Sequence, residues 1–204
     1  MREHLSLLRR FLRTGILRPA LVCALLMLAA AAAGGFAAWQ FPQAVEQTLA
    51  QLTETIASSG VVDAAGTISA VGLLRHNWTA MLITLVYGFA PFIFLPAVAL
   101  LSNGFLLGIM GGWYVAQGMS PALFLAGILP HGIFELSALV LSAACGVRLC
   151  LNMGRLVTSN PRRMPMTELL CDLLRVLLLV IAPLTVIAAF VEAYVTPWVM
   201  GFFL

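Results

Sequence analysis

Residues 19–39 have the sequence PALVCALLMLAAAAAGGFAAW, an apolar stretch without a charged side chain. At the α-helical rise of about 1.5 Å per residue, this stretch is long enough to cross the roughly 30 Å hydrocarbon core of a bilayer. Trp39 and Phe41 resemble an interfacial aromatic anchor, which favours a retained span over a cleaved secretory signal. The stretch therefore predicts a membrane-spanning helix.

The rest of the chain has the same apolar character. Of its 204 residues, 62% are hydrophobic and 9% are charged, and the mean hydropathy is +1.03. The ionisable side chains are too few to cover the core of a soluble protein of this size, so the outer face must meet lipid. The predicted fold class is an all-α membrane protein, a polytopic bundle of about five transmembrane helices.

We expect the later spans at about 77–101, 103–118, 120–147 and 172–197. The region 77–118 is too long for one helix, and Ser102-Asn103-Gly104 has the composition of a turn near its middle. Pro91 and Pro96 should bend or break the helix that contains them, because proline has no backbone N–H to donate. Two full spans and a re-entrant break both stay open for this region.

The arginines predict the orientation of the chain. The sequence has no lysine, most arginines lie within 1–18 or 148–175, and Arg75 lies apart from both groups. Because positive charge stays on the cytoplasmic side, we expect a basic cytoplasmic helix over 1–18, on the inner leaflet, a transmembrane domain over 19–204 and a cytoplasmic loop over 148–171. The expected location is the inner (cytoplasmic) membrane. Neither group has the interleaved aromatics of a nucleic-acid surface, so no nucleic-acid partner is expected.

The segment 40–76 is the one sizeable loop, and we expect it outside the cytoplasm. It carries Glu46, Glu54 and Asp63. One amphipathic helix is predicted from the helical spacing of Val45, Leu49, Leu52 and Ile56. A second is predicted after the Ser58-Ser59-Gly60 break from Ile68, Val71 and Leu74. The pair should lie on the outer membrane surface or cap the bundle.

Three polar side chains within predicted spans are candidate functional residues: His131 and Glu135 on the fourth span and Glu192 on the fifth. His131 and Glu135 are four residues apart and share a helix face, which continues as a stripe of small and polar residues. Glu192 lies on a similar stripe. We expect the two stripes to face each other inside the bundle.

Three hypotheses account for these side chains. They fix the register of two helices by hydrogen bonding, they relay protons or ions, or they bind a metal in an intramembrane enzyme. The HxxxE spacing lacks the second histidine of the HExxH metalloprotease signature, and no catalytic, cofactor or metal site is predicted. The protein is not expected to be an enzyme.

The glycines Gly104, Gly108 and Gly112 recur every four residues, which places them on one helix face and predicts close helix packing. The cysteines Cys23, Cys145, Cys150 and Cys171 form no CxxC pair, so a structural zinc site is not predicted.

Four elements occur in a fixed order: Asn103-Gly104, then HGIFEL at 131–136, then GVRL at 146–149, then AFVEAYVTP at 189–197. This pattern resembles the stage II sporulation protein M family over most of the chain. The resemblance implies a multi-helix membrane domain which, in spore formers, belongs to a complex that remodels peptidoglycan, with catalysis in partner proteins. It also matches His131, Glu135, Arg148 and Glu192 to recurrent polar positions and Asn103 to an Asn-Gly turn.

The leading hypothesis is a membrane scaffold that recruits partner proteins, for example cell-envelope enzymes, through its outer loop and its glycine-rich faces. The alternative is a transporter- or channel-like subunit that uses the His/Glu side chains. Expected partners are membrane lipid and proteins of a membrane complex, and a homo-oligomer is left open.

Overall fold

The computed structural model describes residues 2–58, 61 and 68–203. These residues are mainly helical, and the helices, numbered in chain order, are α1 (Arg2–Phe11), α2 (Leu17–Gln40), α3 (Pro42–Ser58), α4 (Ala70–Val86), α5 (Leu95–Ala116), α6 (Pro121–Val157), α7 (Met166–Val176), α8 (Ala182–Phe190) and α9 (Thr196–Met200). Of the predicted loop features, Ser59, Gly60 and Asp63 lie outside the described residues.

Four helical segments have the length and apolar composition needed to cross a membrane. They are Glu3–Gln40, Leu95–Ala116, Pro121–Val157 and Met166–Met200. The sequence predicted about five spans. The helix missing from this set is α4, which packs in the same bundle but has only 17 residues. Many apolar side chains on these segments face outward, for example Leu25 with 67% and Ile133 with 63% of the side chain exposed. The all-α membrane fold is confirmed.

Two of these segments are single rods made of consecutive helices joined by π-helical turns. The turns are Leu12–Ile16, Leu177–Ile181 and Val191–Val195. A proline follows closely after each turn, at Pro19, Pro183 and Pro197. Proline lacks an N–H and its ring collides with the carbonyl four residues earlier, so a widened turn accommodates it without ending the helix.

The break in the second predicted span falls at 87–94, and the predicted turn at Ser102-Asn103-Gly104 is wrong. Those three residues lie inside α5, where the Asn103 amide donates to the Ala99 carbonyl at 2.9 Å. The chain reverses beside Pro91 instead, with Phe92 and Phe94 in the left-handed region at φ 69° and 52°. In lipid, a short polar side chain is readily satisfied by its own helix, whereas proline removes a backbone donor and makes a break in the helix easier.

The bundle has one end that collects most of the arginines, which we call the basic end. Leu8 and Phe11 of α1 pack in the same core cluster as Leu169 and Leu173 of α7, so the arginines of both groups lie at this end. The N-terminal basic segment is helical, continues through a π turn into α2 and packs against α7.

Helix α3 folds back at the opposite end of the bundle. Val45 is buried with Ala38 of α2 and Ile109 of α5, and Leu49 and Trp113 pack against them. The second predicted loop helix is not separate: α4 begins at Ala70, capped by the Ser69 hydroxyl, and continues directly into the bundle.

Candidate polar site within the bundle

The polar side chains of the fourth and fifth predicted spans meet between α6 and the α7–α9 rod. His131 Nδ1 lies 3.1 Å from Thr196 Oγ1, and His131 Nε2 lies 3.9 Å from Glu135 Oε2. One ligand atom each from His131, Glu135 and Glu192 lie within 4.8 Å of one another. All three side chains are partly buried, with 14% of His131 and 29% of Glu135 exposed. We call these three residues the polar cluster.

Helix α6 places two of the three side chains. His131 and Glu135 are one turn apart on the same face, as their spacing predicts. Pro130 precedes His131 in the helix interior, and α6 continues through it from Pro121 to Val157. Because Pro130 has no N–H, one carbonyl of the preceding turn lacks its usual helical partner.

A π-helical turn places Glu192. The turn spans Val191–Val195, and the Thr196 N–H donates to the Val191 carbonyl five residues earlier. Pro197, the next residue, cannot donate. Inserted π turns of this kind occur frequently at functional sites because the extra residue re-aims the side chains around it. Here the widened turn carries Glu192 and ends at Thr196, and both side chains are directed to His131.

The α6 face continues from Glu135 towards the basic end as a closely packed layer. Ala138, Ser142, Cys145 and Gly146 are fully or nearly fully buried. The Ser142 hydroxyl donates to the Met81 carbonyl of α4 at 2.5 Å. In the part of the chain that the structure describes, no further His, Cys, Asp or Glu joins the polar cluster. The cluster is therefore closed towards the basic end by small, packed side chains.

Among the described residues, no arginine pairs with a carboxylate of the polar cluster. Arg175 pairs with Asp172 on α7, and the contact between His131 and Glu135 is an ion pair only when the imidazole is protonated. A carboxylate held away from water without an opposite charge is costly, so such groups require a counter-charge, a proton or hydrogen-bond donors.

Two of the residues that the sequence singled out lie elsewhere. Arg148 lies on α6 about 20 Å from Glu135 at the helical rise of ~1.5 Å per residue, and its Nε is buried without a hydrogen-bond partner. Asn103 is exposed on α5 and bonds only within its own helix. Neither residue is part of the polar cluster.

The glycine face of α5 is placed against α2. A Cβ added to Gly104 would lie 2.6 Å from the Met27 carbonyl oxygen, and one added to Gly112 would lie 2.6 Å from the Ala38 Cβ. Because both helices advance together along this contact, α2 and α5 are parallel. Because this glycine face is buried in the contact between α2 and α5, Gly108 and its neighbours are not available to recruit a partner protein.

Thr196, which lies on the same stripe as Glu192, contacts His131. One polar residue that sequence reasoning missed has a clear role. Asn152 closes the connection between α6 and α7, accepting from the Met164 N–H at 2.8 Å and donating to the Met164 carbonyl at 3.1 Å. The sequence signal for Asn152 was an isolated amide near the end of a long apolar helix, because a buried amide needs hydrogen-bond partners.

Comparisons with known proteins identify a family. The family model described as Stage II sporulation protein M matches residues 23–197. An uncharacterized protein of Methanocaldococcus jannaschii is 35% identical over 122 residues, which cover 59% of this chain and 65% of that relative. The match thus spans slightly less than two thirds of the relative's length. No solved structure matches the chain.

The matched range includes α4 to α8, most of α2 and all three residues of the polar cluster. The chain belongs to the stage II sporulation protein M family.

Proposed function

We propose that this protein is a scaffold subunit of the cytoplasmic membrane that holds partner proteins of the cell envelope at the membrane surface. The family is not known as an enzyme family. In this proposal the basic end lies in the cytoplasm, because arginine is retained on that side, and α3 lies on the outer face.

The observation that carries the proposal is the way α3 is held. Its apolar face is fixed to the bundle by Val45 and Leu49, which pack near Ile109 and Trp113. Its other face exposes polar side chains, including Glu46, Gln47, Gln51 and Glu54. A helix fixed on one side and acidic on the other is a pre-organised docking element, since a partner need not order it on binding.

A cavity of about 370 Å³ adjoins this element. It lies between α3 and the end of α5, lined mainly by apolar side chains such as Leu52, Met110 and Tyr114, with Glu46 at its edge. A pocket beside a polar face suits an apolar anchor residue of a partner surrounded by polar contacts, the usual anatomy of a protein interface.

Affinity recovery from the source membranes tests the proposal. Full-length protein with Glu46→Lys and Glu54→Lys should recover its envelope partners at the background level, because both substitutions reverse the charge of the docking face. Glu168→Lys is the matched control, since Glu168 is exposed on α7 at the basic end. Equal recovery by the double variant and the control would contradict the proposal.

A proton or ion relay is the second candidate function, and the polar cluster is the observation that favours it. A relay needs polar groups along the whole path, whereas the α6 face beyond Glu135 is closed by packed residues such as Ala138 and Gly146. We therefore expect pH-driven flux in proteoliposomes to equal that of empty vesicles. Flux that Glu135→Gln and Glu192→Gln abolish would favour the relay over the scaffold.

A further inference from the structure

We propose that His131, Glu135 and Glu192 bind one divalent transition-metal cation of the Zn²⁺ or Mn²⁺ class between α6 and the α7–α9 rod. This inference goes beyond the scaffold function and does not depend on it, since the scaffold proposal rests on α3.

The distances suit a single ion. Zinc lies about 2.0–2.2 Å from nitrogen and oxygen ligands, so two ligands of one ion are at most roughly 4.4 Å apart. The separation of His131 Nε2 and Glu135 Oε2 is 3.9 Å, and all three ligand atoms lie within 4.8 Å of one another. Small rotations of the carboxylate side chains bring the whole set into range.

Thr196 supplies the outer contact that metal-binding histidines usually have. Its hydroxyl oxygen lies 3.1 Å from His131 Nδ1, so the imidazole can donate from Nδ1 and present the Nε2 lone pair towards Glu135. A partner on the second ring nitrogen fixes the tautomer and the ring orientation of a ligating histidine. Thr196 is itself buried and therefore held in place.

The two carboxylates of the polar cluster also favour a bound cation. Two carboxylates approach each other here, and among the described residues neither pairs with an arginine. Two like charges in a partly buried site repel each other strongly, and a divalent ion between them removes that repulsion. A bound cation thus explains why both acidic side chains are directed to the same point.

The ligand types select the class of metal. One imidazole nitrogen with two carboxylate oxygens is a mixed set that suits Zn²⁺, Mn²⁺ or Fe²⁺, whereas Mg²⁺ and Ca²⁺ favour oxygen alone and Cu⁺ favours sulfur. Three protein ligands leave at least one coordination position for water.

Metal analysis of the full-length protein tests the inference. The chain is purified in detergent with a tag that contains no histidine, stripped with EDTA, equilibrated with Zn²⁺, Mn²⁺ or Mg²⁺, and freed of unbound ion by gel filtration. We expect about one Zn²⁺ or Mn²⁺ per chain by elemental analysis, background Mg²⁺, and a higher Tm with the bound metal.

The variants separate this site from other ligands in the chain. His131→Asn, Glu135→Gln and Glu192→Gln should each reduce bound metal to background and abolish the Tm increase. His76→Asn is the matched control, because His76 is exposed near the start of α4 and lies outside the polar cluster. This control should keep both the metal and the Tm increase.

Thr196→Val keeps all three ligands and tests the site if a ligand variant fails to fold. It should weaken metal affinity about 10–100-fold, the usual effect of removing an outer-shell partner. The inference is overturned if the wild type holds no Zn²⁺ or Mn²⁺ above background. It is also overturned if His131→Asn binds as much metal as His76→Asn, or if Thr196→Val leaves the affinity unchanged.

Discussion

The hydroxyl of Ser142 on α6 donates a 2.5 Å hydrogen bond to the backbone carbonyl oxygen of Met81 on α4. Ser142 is fully buried, and the bond joins two helices that no short connection links. With the Gly146 contact to the Thr84 carbonyl one turn further along, it shows that α4 and α6 run parallel and in a fixed register. The 17-residue α4 is thereby held in the bundle despite its length.

Ser142→Ala should therefore lower the free energy of unfolding, by about 0.6–1.7 kcal/mol as for other hydrogen bonds between membrane helices. Ser137→Ala is the matched control on the same helix, since the exposed Ser137 hydroxyl bonds only to the Ile133 carbonyl of its own turn. Unfolding in mixed detergent measures both variants. Equal loss in the two variants would show that the bond to Met81 contributes nothing to stability.

Two adjacent glycines on α2 should respond very differently to alanine. A Cβ at Gly34 would overlap the Phe105 carbonyl, whereas one at Gly35 would meet only the Gly108 carbonyl oxygen at an ordinary 3.6 Å. Gly34→Ala must push α5 away and should cost about 1–3 kcal/mol. Gly35→Ala should be neutral or slightly stabilising, because alanine favours the helix. The Tm of each variant in detergent measures the difference, and similar values would contradict the contact.

Asn152 should control the stability of the connection between α6 and α7. Asn152→Ala removes both hydrogen bonds to the Met164 backbone and leaves those groups with fewer partners. We expect trypsin to cut at Arg162 and Arg163 at least several-fold faster, because local opening of this loop becomes easier. Asn103→Ala is the control, since its amide bonds only within α5. Unchanged cleavage in Asn152→Ala would contradict the role.

Cysteine labelling tests the proposed orientation. In a Cys171→Ala background, Ser159→Cys reports on the loop at the basic end and Gln47→Cys on the exposed face of α3. A membrane-impermeant maleimide applied to intact spheroplasts should label position 47 and not position 159, and permeabilisation should make both reactive. Labelling of position 159 alone in intact spheroplasts would reverse the orientation.

The hydropathy of the chain was sufficient to predict the fold class, because a membrane helix satisfies its backbone internally and needs only an apolar stretch of the right length. The position of the reversal between α4 and α5 was not predicted, since turn propensities measured in water overrate Asn103-Gly104 where no water competes for the backbone. Pro91 and Pro96 gave the better signal, because a missing donor is missing in any solvent.

The polar cluster was predictable in part. The four-residue spacing of His131 and Glu135 placed them on one face of α6, and the similar stripe around Glu192 indicated a facing helix. The π turn at Val191–Val195 was not visible in any periodicity, because one inserted residue changes the spacing only locally. Its one trace in the sequence is the proline that follows, and a proline also follows each of the other two π turns.

The parallel contact between α2 and α5 has a consequence for the synthesis of the protein. The Phe105 carbonyl of α5 fills the groove that Gly34 leaves on α2. Because α5 comes much later in the sequence, α2 enters the bilayer long before this partner is translated. Until then lipid chains must occupy the groove at Gly34, and α5 later displaces them. Helix α2 is therefore unassembled in the bilayer during this interval. A translational stall or a truncation before about residue 112 should leave it exposed to membrane quality control.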